Sequence, residues 1–302
     1  MAIFNKTKPI PEHEAVGETE RIYYEIRQTL RVTGVPELFC SWAGHGQFLP
    51  WVWSVLQPNA ETQVFEEAAD RLRAEAARLI KPMEKPDVVS HVRLGESQTY
   101  HIRASLDLYH YLYPKLLLLA SAVQLALRGE RVGTERIRPV ERIERGAPAR
   151  MIAMEWMPEE PHDPRLRDLF EEMKKSSKLP VLTLGIRTLA LWPDYLIEAR
   201  KRLMPILVAP DYKRAEERLS GTARKEARNF PYPVSIPQEK VKAVVPDVEE
   251  IAALTSHFQR AYIRCLFNVA LLECDWKEAD ALAVSPYPAP SLRRVVAAGG
   301  MR

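Results

Sequence analysis

Apolar residues recur at spacings of three and four along most of the chain. From Gly17 to Val32 they fall at Ile22, Tyr23, Ile26 and Leu30, with Gly34 and Pro36 as stop signals. From Gln47 to Leu56 they cover most of the surface (Phe48, Val52, Trp53, Val55, Leu56), which predicts a buried helix. Val64 to Ile80 is rich in strong helix formers, with Ala68, Leu72, Ala76 and Leu79 on one face. Leu106 to Leu127 follows, where Pro114 is a kink or the first turn of a new helix. Further helices are predicted at 166–173, 182–191, 195–203, 211–229 and 251–273. Nothing reads as a set of alternating β-branched runs, so the expected class is all-α.

The pattern also repeats. Shifted by 147 residues, Phe48–Ala76 lies over Tyr195–Ala223 without a gap, matching Leu49 with Leu196, Leu56 with Leu203, Pro58 with Pro205, and Arg71 with Arg218. The same shift places His110 on His257, Tyr111 on Phe258 and Leu125 on Leu272. A repeat of this length is a whole domain used twice. The expected architecture is therefore a pseudo-dimer of two related helical domains, with a pocket at the seam. The boundaries are a first repeat at 16–128, a linker at 129–164, a second repeat at 165–284 and a tail at 285–302. The linker is arginine-rich and then proline-rich; its interspersed Glu135, Glu141 and Glu144 favour a solvated connector over a grip on an acidic partner.

Length and charge narrow the partners. The 302 residues carry 43 Lys plus Arg against 40 Asp plus Glu, a formal charge of +3 without a basic stripe, so nucleic acid is not expected. The apolar tract Leu116–Leu127 is interrupted by Ser121 and Gln124 and falls well short of the ~20 residues of a membrane span. The N-terminus lacks a signal-peptide core, and three cysteines without a CxxC pair suit a reducing compartment, so a cytoplasmic address is expected. A homodimer of the whole chain is left open.

Candidate chemistry is sparse. The seven histidines form no HExxH-like pair, and no glycine-rich phosphate loop follows a strand, so no metal and no cofactor is expected. His110 and His257 could meet across a pseudo-axis, but core histidines bonded to backbone are the better reading. Cys40 with His45 could form a nucleophile pair; an inert packed cysteine is preferred.

The stretches YYEIRQTLRV (Tyr23–Val32), QFLP (Gln47–Pro50), YHYLYPKLLLLASA (Tyr109–Ala122), LTSHFQR (Leu254–Arg260) and SPYP (Ser285–Pro288) resemble the group I 2-haloacid dehalogenases. The resemblance implies an all-helical pseudo-dimer that hydrolyses short 2-halocarboxylic acids without metal or cofactor, with its active site between the halves. It also implies an aspartate near the start of the second repeat that activates a water for direct, inverting attack. Counted back from Leu191–Pro193, that position is Gly185 here, preceded by Leu184 where the family has serine. An asparagine that holds the water falls on Tyr113, and pocket-lining aromatics fall on Gly34 and Glu37.

Glycine offers no proton acceptor, so activity needs a relocated base. The offset mate of Gly185 is Leu38, beside Glu37, which becomes the candidate general base; a role capping the helix after Pro36 is its plainer alternative. Arg187 and Arg260 are candidate anchors for a substrate carboxylate. Trp42 and Gly185 are expected to line the substrate pocket, and Tyr113 to orient water or receive halide, with packing as its plainer alternative. The expected ligand is a small organic acid, either turned over by a hydrolase or merely bound by a scaffold that kept the fold and lost the base.

Overall fold

The computed structural model describes residues 7–134, 140–245 and 248–290. Glu135 of the linker and most of the predicted tail lie outside the described residues. Eleven α-helices in the described residues form two clusters. The first holds α1 (Gly17–Leu30), α2 (Glu37–Ala43), α3 (Phe48–Ala60), α4 (Gln63–Ile80) and α5 (Glu96–Leu127). The second holds α6 (Pro164–Ser177), α7 (Leu184–Leu189), α8 (Pro193–Leu207), α9 (Pro210–Arg228), α10 (Gln238–Val244) and α11 (Val248–Glu273). Among the described residues there is no strand beyond one isolated bridge between Thr62 and Arg142. The chain is all-helical.

Helix ends keep the sequence offset. Gly17–Leu30 and Pro164–Ser177 correspond residue for residue, and both stop at a left-handed residue, Arg31 (φ 62°) and Lys178 (φ 57°). Each closes its helix with an N–H to a carbonyl four residues back. α5 packs along α11 through the middle of the molecule, and α4 reaches across to α9. The faces in contact are nearly continuous runs of buried leucine, alanine and aromatic side chains.

Pro114 neither kinks the chain into two helices nor starts a new one; α5 runs through it. A proline in mid-helix leaves the carbonyl four residues earlier without its amide partner. Here that carbonyl, on His110, accepts from Arg73 Nε at 3.3 Å, and the Tyr111 carbonyl accepts from Arg73 Nη2 at 3.4 Å. The buried guanidinium thus supplies donors that the proline removes. Beside it Lys115 is fully buried, donating to the Leu30 carbonyl at 3.2 Å, to Tyr111 at 2.6 Å and to Glu66. Burial lowers its pKa to about 8 against the pull of Glu66.

Candidate active site

α2 and α7 are related by the offset, and their starts meet. The Leu184 amide of α7 donates to Glu37 Oε2 of α2 at 3.4 Å. Glu37 is buried in the first turn of α2, where its carboxylate meets both its own backbone amide and that of Leu184 from the opposite cluster. Desolvation raises its pKa to about 7, opposed by hydrogen bonds from backbone amides, by the nearby Tyr262 hydroxyl and by the charge of Arg187. Tyr262 approaches Glu37 closely enough to favour its ionised form, yet neither Glu37 Oε1 nor the Tyr262 hydroxyl completes a hydrogen bond. Two neighbouring buried oxygens with unused capacity are suited to holding a water or a polar substrate atom.

Glu37 and Arg187 line the same cleft, of about 910 Å³. One wall comes from the segment Thr7–His13, another from Trp156, Pro158 and Glu159, and a third from Pro180, Val181 and Leu184. The N-terminal wall is pinned at several points. Ile10 donates its amide to Cys40 at 3.0 Å, Tyr23 donates to the Ile10 carbonyl at 2.7 Å, and Glu12 accepts from the Val35 amide at 2.9 Å while pairing with Arg27.

Arg187 is held more tightly than a free anchor would be. Its Nε donates to the Met157 carbonyl at 2.8 Å, its own carbonyl accepts from Met157 at 3.0 Å, and Nη1 pairs with Glu159 at 3.1 Å. Burial raises the pKa of Glu159, which Arg187 counters.

The other predicted site residues lie elsewhere. Gly185 is buried behind the cleft, where a Cβ would overlap the Tyr113 hydroxyl and press on the Tyr109 ring. The Gly185 amide donates to that hydroxyl at 3.1 Å, and Tyr113 stacks between Tyr109 and Tyr262 at ring separations of 5.4 and 5.8 Å. Tyr113 is therefore packing that fills the space beside Gly185 and is not part of the cleft wall; Tyr262 is the tyrosine that meets Glu37. Trp42 is also core, its indole N–H donating to Thr255 at 3.2 Å, because α2 turns this face inward onto Phe39 and Phe48. Arg260 is exposed on α11, one position beyond the buried Gln259 and outside the cleft lining.

His257 is bonded to backbone as expected, whereas His110 is instead paired with a buried carboxylate, and Cys40 fits the inert reading. His110 Nδ1 sits 2.8 Å from buried Glu273, while His257 Nδ1 lies 3.1 Å from the Lys178 carbonyl, so the two do not face each other. Among the described residues no group of three or more His, Cys, Asp or Glu could hold a metal ion. Burial pushes the Cys40 thiol up to about 12, far from the thiolate a nucleophile needs.

Sequence reasoning missed Tyr262, Glu159 and Trp156. Tyr262 carried a weak signal as the offset mate of Lys115, another buried polar group on the α5–α11 seam. Trp156 carried none: it comes from the linker and lies over Gly34, where a Cβ would meet its ring at 3.2 Å. It thereby brings an aromatic to the place where the resemblance expects one from the first repeat.

Solved structures of a D-2-haloacid dehalogenase share this fold. A mutant of that enzyme superposes with a TM-score of 0.80 at 22% identity, over 92% of this chain and 96% of the other, and its complex with L-LA does so equally well. Among curated proteins, a configuration-inverting 2-haloacid dehalogenase of Pseudomonas sp. (strain 113) is 29% identical over 257 residues, 82% of each chain. An (R)-2-haloacid dehalogenase of Pseudomonas putida is 27% identical over 216 residues, 68% of this chain and 70% of that one. The family described as halocarboxylic acid dehydrogenase DehI matches residues 33–184, half of the chain, and this protein belongs to it. No helix among the described residues is long and apolar enough to cross a membrane.

Proposed function

We propose that this protein is a cofactor-independent, hydrolase-like member of its family, acting on a small organic acid in the cleft between its two clusters. The clusters are read as one duplicated unit (16–128 and 165–284) joined by the linker 129–164, with the cleft at their seam. The observation that carries this reading is Glu37: a buried carboxyl with one unpartnered oxygen, poised near neutral pH, on the wall of a large cleft that also holds Arg187. A general base works best with a pKa near the operating pH.

In the reaction, Glu37 Oε1 takes a proton from water as the water oxygen forms a bond to the carbon bearing the halogen. The carbon–halogen bond breaks with inversion, and the halide leaves with the bonding pair. Tyr262 orients the water, and Arg187 draws the substrate carboxylate. The family's aspartate position, Gly185, carries no base here, so the chemistry has moved across the offset to the first repeat.

Two observations favour a non-catalytic reading. Tyr113 occupies the space beside Gly185, and Glu159 already neutralises Arg187, as in a scaffold that kept the fold and binds a ligand without turning it over. Halide release from D- and L-2-chloropropionate, assayed separately, decides between them. Release from either enantiomer that disappears in Glu37→Gln supports the hydrolase; no release from either leaves the binding protein.

A further inference from the structure

We propose that the acid taken by this cleft carries a large apolar substituent, about the size of a phenyl ring, in place of the methyl or hydrogen of a two- or three-carbon acid. This rests on the cleft being the substrate site. The cleft, at about 910 Å³, lies at the upper end of what encloses a drug-sized ligand. A three-carbon haloacid of six heavy atoms fills roughly a tenth to a fifth of it, taking about 20–30 Å³ per heavy atom by comparison with water.

Charged groups line the cleft at Glu37, Arg187 and Glu159 and along the N-terminal wall at Lys8 and Glu12, yet most of the exposed lining is apolar, with Val35, Trp156, Pro180 and Val181 contributing to it. That surface is built in advance. Trp156 is fixed by packing on Gly34 and by the paired backbone and side-chain bonds between Met157 and Arg187, and the Met154 amide is tied to Thr33 at 2.8 Å. A preformed apolar wall gives affinity without an ordering penalty. The head group alone gives little, because Arg187 is paired with Glu159 and pulls only weakly on a second carboxylate. A substituent that covers the apolar wall therefore adds affinity that the paired Arg187 does not supply.

The test is calorimetric binding to the full chain carrying Glu37→Gln, so that nothing is turned over, with 2-chloropropionate and 2-chloro-3-phenylpropionate as probes. The phenyl acid should bind at least about tenfold more tightly, the effect of burying one such group. Trp156→Ala should remove most of that preference. Val181→Trp, which narrows the cleft, should weaken the phenyl acid selectively and covers the case in which Trp156→Ala does not fold. Equal affinities, or a preference that survives both substitutions, overturn the inference. Should the phenyl acid bind tightly while Glu37→Gln still releases halide, the catalytic reading falls and this one stands. Should Glu37-dependent release from 2-chloropropionate accompany no binding of the phenyl acid, the reverse holds.

Discussion

The two clusters share five helices at the 147-residue offset, with α10 additional in the second, and fill them differently. In the first, Phe39, Trp42, Phe48 and Trp53 lock together through edge-to-face contacts 5.6 to 5.9 Å apart. At the offset positions the second cluster has Ile186, Leu189, Tyr195 and Arg200, and it leaves a pocket of about 50 Å³ bordered by Gly185, Leu196 and Leu203. At these positions the first cluster is an aromatic block, and the second is mostly aliphatic beside a small pocket. Glu37 sits beside the aromatic block, where dense packing suits a group that must be held still to act. The position where the resemblance expects aspartate borders the small pocket, against Tyr113. The divergence of the two halves thus tracks the proposed transfer of chemistry from one to the other.

The sharpest way to break this comparison is to remove equivalent residues. Trp53 is buried, with its N–H donating to Glu25 at 3.3 Å and its ring against Phe39. Trp53→Ala should cost about 3–5 kcal/mol in urea unfolding. Its mate Arg200 makes an ion pair with the exposed Glu172, and Arg200→Ala should cost about 1 kcal/mol or less. Similar losses at both positions would show that the halves are equally densely packed there.

A smaller effect probes the Tyr113–Gly185 contact. Gly185→Asp has no room while the tyrosine is present and should destabilise by about 1–3 kcal/mol. Tyr113→Asn opens that space. The double variant should therefore be more stable than the sum of the single losses by at least about 1 kcal/mol in a denaturant cycle. Simple additivity would mean that the tyrosine does not replace the missing side chain.

Much of the fold was legible because helical periodicity and the 147-residue offset are local or linear signals. The continuation of α5 through Pro114 was not, since its compensation comes from Arg73 on another helix. The candidate site was legible in part. Glu37 and Arg187 are brought to one cleft, and both were found through the offset that relates the halves. Trp42, Tyr113 and Arg260 were misplaced because spacing does not say which face of a buried helix turns to a cavity and which to the core or solvent. Trp156 and Glu159 reach the cleft from an irregular linker, for which periodicity offers no guide.

The central claim is that Glu37 is the base, and the pH dependence of kcat/KM for halide release tests it most directly. Burial holds Glu37 protonated below about pH 7, so the basic form, and with it the rate, should rise as pH increases through about 7. Glu37→Gln should abolish the rate at every pH. A rate that is already level from about pH 5 upward, or one that persists in Glu37→Gln with its profile unchanged, would place the base elsewhere.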